Sequence, residues 1–162
     1  GDLVAQTSVP ILGDDTAHEV FQKVTVAAEI TLARALPQLI AGTAARVPMD
    51  LKYGSYFSGR KPEDGRIDWS QPAQAVYNLV RAVAPPYPGA FADIDGTRVI
   101  VNKAKVSLAR TSTPVGSVQR AGQTLGFCCG DGNLLVPLSL TVNNERLVGT
   151  TLKKWLTARA QV

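Results

Sequence analysis

The sequence predicts a mixed α/β fold: the end of an α/β domain, a charged joint, then a small antiparallel β-barrel opened by one helix. Three observations predict it. A run with helical apolar spacing, about 16–41, follows a short β-branched segment. A charged stretch punctuated by glycine and proline, 52-KYGSYFSGRKPEDG-65, breaks the pattern. Beyond one more helix, short alternating apolar runs are separated by Asp-Gly and other glycine turns, the strongest local hairpin signal.

Residues 3-LVAQTSVPI-11 are aliphatic and β-branched and stop at 13-GDD-15, which spells a strand and a turn. Thr16 with Glu19 three positions on has the form of a capping box. Val20, Val24, Ala27, Ile30, Leu36, Leu39 and Ile40 then recur on one helical face, and Gly42 is the expected C-cap. Such a face must cover a sheet. His18, in the first turn, has no acid or nucleophile near it in sequence and reads as a solvated or capping residue.

A short extended piece, 44-AARVPM-49, leads into the joint. After it, Ser70 is placed to cap a second helix, with Pro72 in the first turn and Ala75, Val76, Leu79, Val80 and Val83 on its apolar face. Pro85 and Pro86 stop that helix. Phe91, Val99, Val101, Val106, Phe127, Leu134, Val136 and Leu138 fall in the strand runs, with turns at 95-DG-96, 115-VG-116 and 130-GDG-132. The segment 150-TTLKKWLTA-158 fits a strand or a short helix equally well. The expected domains are therefore 1–52 and 66–162, with a linker over 53–65.

Composition bounds the function classes. Of 162 residues 19% are charged and 45% hydrophobic, a globular balance without a disorder signature. No apolar run approaches the roughly 20 residues that span a bilayer, and no secretory leader is visible. The chain begins at Gly1 rather than Met, which raises the expectation of a fragment. The net charge of +4 is uneven: six basic and six acidic residues up to Pro62, eleven and seven from Glu63 onward. That surplus fits an anionic partner or a merely soluble face. Cys128 and Cys129 are adjacent. Cα atoms about 3.8 Å apart lie below the usual disulfide span, so reduced thiols and a cytoplasmic setting are expected. With one histidine and no second cysteine pair, no metal site is expected.

The segments 57-FSGRKPEDGRIDWSQPAQAVYNLVRAVAPPYPGAF-91, 115-VGSV-118 and 129-CGDGNLLV-136, in that order, resemble the domain junction and C-terminal region of the formyltransferase family that uses 10-formyltetrahydrofolate. The resemblance implies a C-terminal remnant of a Rossmann-like formyltransferase domain followed by an OB-like C-terminal domain. The wording "GRKPEDGRIDW" and "PYPGAF" is closer to the branch that formylates amino sugars on nucleotide carriers. UDP-4-amino-4-deoxy-L-arabinose, of lipid A modification, is one such acceptor.

By the same resemblance the family's catalytic Asn, His and Asp lie before Gly1, which matches the glycine of its D-x-G motif. The parent protein is then an enzyme, and the chain alone is expected to be inactive. The 10-formyltetrahydrofolate co-substrate is bound mainly by the missing N-terminal part, which becomes a partner of this chain. Arg60 is the candidate for substrate binding, since an arginine fork grips a diphosphate bidentately; the plainer alternative pairs it with Glu63 or Asp64. Lys61 is expected to face solvent. Tyr56 and Phe57 offer a stacking wall or loop packing, and Tyr77 and Asn78 share that ambiguity. Asp68, Trp69 and Ser70 match the family in structural roles.

Two other readings compete. A methionyl-tRNA formyltransferase would use the basic second half to grip RNA. An OB-like nucleic-acid-binding module needs exposed strand aromatics, and with four Phe and four Tyr in the chain this reading ranks last. An uncovered apolar stripe from Val20 to Ile40 would favour self-association.

Overall fold

Helix α1 (Ala17–Ile40) begins where its cap begins. The Thr16 amide donates to Glu19 Oε2 at 2.7 Å and the Glu19 amide donates to Thr16 Oγ1 at 3.3 Å, so each satisfies an N–H that the first turn leaves without a partner. The helix ends at Gly42, whose φ of +68° is costly for any residue with a Cβ. The Gly42 and Thr43 amides reach back to the Leu39 and Gln38 carbonyls at 3.2 and 2.9 Å, a Schellman arrangement. These are features of a computed structural model, which describes residues 1–109, 111 and 114–160.

The chain divides into two units, Gly1–Arg60 and Lys61–Val162. In the first, no residue is buried. The strand expected over residues 3–11 does not form. A strand needs a neighbour along its length, and this segment finds one only at Leu3, which exchanges two hydrogen bonds with Val47 at 2.8 and 2.9 Å. The rest runs beside α1, where Arg34 donates to Thr7 Oγ1 at 2.6 Å. An open apolar groove of about 530 Å³ lies between them, lined by Val9, Ile11, Val20, Val24 and Leu32 among others.

The second unit holds the core. Its elements are α2 (Ala73–Ala82), β1 (Ala90–Ile94), β2 (Thr97–Ser107), β3 (Val118–Ala121), β4 (Thr124–Cys128), β5 (Leu134–Val142), β6 (Glu145–Leu147) and α3 (Gly149–Thr157). The strands form one antiparallel sheet in the order β1-β2-β5-β4-β3, with β6 also on β5. Phe127 is fully buried at its centre, 4.8 Å from the Trp69 ring, tilted by 31°, and 6.5 Å from Trp155 in the edge-on geometry that aromatic quadrupoles favour. Helix α2 buries Ala73, Val76 and Val80, and α3 buries Leu152 and Leu156. Val83 is buried as expected, whereas Ala75 is exposed. The ambiguous segment 150–158 is helical because Leu152 and Leu156, four apart, share one face of α3.

The expected closure into a barrel is a correction: the sheet is open. Closure needs β1 and β3 to pair, yet each meets other chain at its edge. Phe91 of β1 is bridged by Arg66, and Val118 of the four-residue β3 by Ala160. An OB-like closed barrel is therefore not the architecture.

Candidate functional site

Arg60 is exposed and is the last residue of the first unit. Tyr56 and Phe57, four and three residues before it, are almost fully exposed, at 101% and 91%. The two acids of the plainer alternative also make contacts of their own. Asp64 Oδ2 accepts the Lys61 amide at 2.8 Å, which closes the short 3-10 turn Pro62–Gly65. Glu63 faces Arg66 at 3.7 Å and Arg98 at 3.8 Å.

That pair of arginines is the first feature sequence reasoning missed. Arg66 donates to Asp93 Oδ2 at 2.9 Å, and both guanidinium groups lie over the Phe91 ring, at 4.9 and 4.1 Å from its centre. The hydrogen bond from Arg66 to Asp93, with help from Glu63, raises the Arg66 pKa further, so its charge is fixed. Two cations, two carboxylates and one ring thus tie the 62–66 turn to the β1–β2 hairpin. No spacing rule announces the whole cluster, because Glu63 and Arg66 lie in the turn while Asp93 and Arg98 lie on β1 and β2.

The second missed feature joins the first and the last of the three motif segments quoted above. Ser70 does not cap α2. The N-cap is Pro72, and the Ser70 hydroxyl instead donates to Asp68 Oδ1 at 2.6 Å. That bond, with one from Gln71, holds the Asp68 carboxyl below its usual pKa. The unpaired Ala73 amide of α2 is taken up from 58 residues away, by Asp131 Oδ1 at 3.2 Å, while the Gly130 amide donates to the Gln71 carbonyl at 3.0 Å. Desolvation acts to raise the Asp131 pKa, but hydrogen bonds from the Asn133 side chain and the Ala73 amide outweigh it and the net shift is downward. Gly130 lies so close that a Cβ there would overlap the Ser70 carbonyl oxygen. A strand-turn glycine and an aspartate are thus the cap of a remote helix.

The remaining candidates are quieter. Asn78 Oδ1 accepts from Gln74 at 3.1 Å and from Arg81 at 2.8 Å on the α2 surface, and Arg81 lies over the Tyr77 ring. His18 meets the Gln22 side-chain amide at 3.2 Å on α1. Cys128 and Cys129 are buried and form no disulfide, and burial pushes Cys129 up to about 12. Among the described residues no group of His, Cys, Asp and Glu is arranged to hold a metal, and no helix is long and apolar enough to cross a membrane.

Residues 60–152 match the family described as formyl transferase, C-terminal domain, and the chain belongs to that family. Among solved structures, HypX from Aquifex aeolicus in complex with tetrahydrofolic acid matches 100% of this chain and 29% of its own, with a TM-score of 0.65 and 18% identity. An N-formyltransferase from Helicobacter canadensis, complexed with folinic acid and dTDP-3-aminofucose, matches 85% of this chain and 49% of its own, at TM-score 0.63 and 16% identity. WlaRD, a sugar 3N-formyl transferase solved with dTDP and 5-N-formyl-THF, gives 90%, 50%, 0.64 and 15%. At these identities the likeness is one of fold, and the chain spans half or less of each of these proteins.

Proposed function

We propose that this chain is the C-terminal portion of an enzyme that moves a formyl group from 10-formyltetrahydrofolate to the amine of a nucleotide-linked amino sugar, with UDP-4-amino-4-deoxy-L-arabinose the favoured acceptor. The match to the formyl transferase C-terminal family from residue 60 to 152 carries the reading. The "GRKPEDGRIDW" and "PYPGAF" wording supports a sugar acceptor, as do relatives of the same fold that bear dTDP or dTDP-3-aminofucose.

Within that reading Arg60 grips the nucleotide diphosphate and Lys61 contributes only a solvated charge. The domain division is 1–52 and 66–162 with a linker over 53–65. The described residues do not fit the folate co-substrate: the groove beside α1 is open and mostly aliphatic, and presents few polar groups to the hydrogen-bonding edge of a pterin. No folate-binding step is assigned to this chain.

The test is Arg60→Ala in the full-length parent, with KM and kcat measured separately. Loss of a charge-assisted contact made equally in ground and transition states raises KM about ten- to a hundredfold and leaves kcat in place. Lys61→Ala changes KM little, because an exposed charge contributes about 0–1 kcal/mol. An unchanged KM in the Arg60 variant, or a larger effect from Lys61, removes the assignment. Running amino-sugar nucleotides beside charged initiator tRNA separates the two acceptor classes.

A further inference from the structure

One face of the β2–β5–β6 region is turned away from the Phe127 core and carries a polar cluster that the formyl-transfer reading leaves unused. Val101 and Ala104 of β2 point into the core. Between them the register with β5 shifts at Asn102 and Lys103, so two residues leave the strict alternation. Such a bulge re-aims side chains. Here it lays the Asn102 amide over the hydroxyls of β5, with Nδ2 2.8 Å from Thr141 Oγ1 and 3.4 Å from Ser139 Oγ. Arg146, opposite Thr141 on β6, donates Nε to the same Ser139 oxygen at 3.0 Å.

Ser139 is only 3% exposed. Its oxygen already accepts two N–H donors, so its own proton must be given away, and it has no acceptor among the described residues. Lys103 stands opposite Ser139 and Lys105 opposite Val136, on the same side of the sheet. The ion pairs among the described residues use neither lysine, nor Arg146. Acids of this unit are engaged elsewhere. Glu63 and Asp93 face Arg66 and Arg98, and Asp95 faces Arg159 at 3.0 Å. Asp64, Asp68 and Asp131 close turns. Glu145 pairs with Val142, whose side chain packs on the core, and so projects to the opposite face from Arg146.

The result is a face with hydroxyl and guanidinium donors, three cations and no carboxylate. We propose that Ser139, Thr141 and Arg146, with the two hydroxyls held in place by Asn102 and the rim formed by Lys103, bind a phosphate-class oxyanion. Arg146 supplies its free Nη edge, Ser139 and Thr141 their protons, and Lys103 a mobile counter-charge.

The experiment is a titration of the 162-residue chain with inorganic phosphate, against chloride at matched ionic strength, followed by amide NMR shifts. Saturable shifts are expected at residues 102, 139, 141 and 146. Arg146→Gln weakens the affinity about tenfold or more; Ser139→Ala weakens it too, and Lys154→Gln on α3 leaves it unchanged. Thermal melts of each variant separate lost binding from lost folding. A nucleoside monophosphate in a second arm distinguishes an esterified phosphate, which binds more tightly, from the free ion, which binds equally well or better. Shifts that do not saturate, or that persist in Arg146→Gln, overturn the proposal. So does an Asn102 amide turned over, its Oδ1 accepting the Ser139 and Thr141 protons, because the cluster then closes on itself and no shift appears.

Discussion

Asp131 shows how little a single position announces of its role. In sequence it is one residue of a glycine-rich turn; in the fold its carboxylate is the N-terminal cap of α2, reached across 58 residues. Caps of this kind are worth about 1 kcal/mol, so Asp131→Ala lowers the unfolding free energy by that amount, read as a lower urea midpoint at an unchanged m-value. The pH dependence follows from the sign of its shift. The folded pKa lies below the unfolded one, so the cap is fully present above about pH 4 and is lost as pH falls through the folded value. Asp131→Ala therefore flattens acid unfolding, and an unchanged acid limb in the variant counts against the cap. Cys129 makes the opposite statement. Desolvation pushes its thiol up to about 12, so it stays protonated and inert at neutral pH, and thiol reagents label it only after unfolding.

Among the elements, legibility followed locality. Helix α1 was readable end to end, because Thr16, Glu19 and Gly42 cap it through contacts three to five residues long. The hairpin turn at Asp95 and Gly96 was equally readable, since both have positive φ and β1 and β2 pair directly across them. Strand character at 3–11 failed because it depends on a neighbour, and β-branched composition says nothing about whether one exists. Barrel closure failed likewise: whether β1 meets β3 depends on where Arg66 and Ala160 fall, which alternation does not encode. Around the joint, the cap expected of Ser70 is not made, and its hydroxyl serves Asp68 instead, because a hydroxyl's nearest acceptor is set by the local turn and not by the helix pattern that follows. The apolar face of α1 is the element with an unmet demand. Phe21 is 61% exposed, and Val24, Ile30 and Leu32 are exposed too. Exposed apolar area of this kind drives association, so light scattering on the chain alone is expected to show mass rising with concentration. Leu32→Glu should restore the monomer, and a monomer at every concentration in the parent sequence would remove this expectation.

At the scale of the molecule, stability and chemistry divide unequally. Among the described residues every buried one lies between Gly65 and Leu156, and none in the first unit. Hydrophobic burial is the dominant favourable term in folding, so a chain starting at Lys61 should keep a cooperative melt close to that of the whole. Catalysis asks for something else. Formyl transfer to an amine needs a base to take the proton and donors for the developing oxyanion, placed together at hydrogen-bonding distance. The chain has a single histidine, His18, and it meets the Gln22 amide on α1, with no hydrogen bond to a carboxylate or an asparagine among the described residues. Neither unit, as described, brings together a base and a set of oxyanion donors. The expected outcome is that the purified 162-residue chain shows no formyl transfer from 10-formyltetrahydrofolate to any amino-sugar nucleotide, while the parent protein turns over under the same conditions. A coupled assay for released tetrahydrofolate decides it. Turnover by the chain alone that disappears in His18→Gln would place the base on α1 and undo the reading of this chain as a non-catalytic portion.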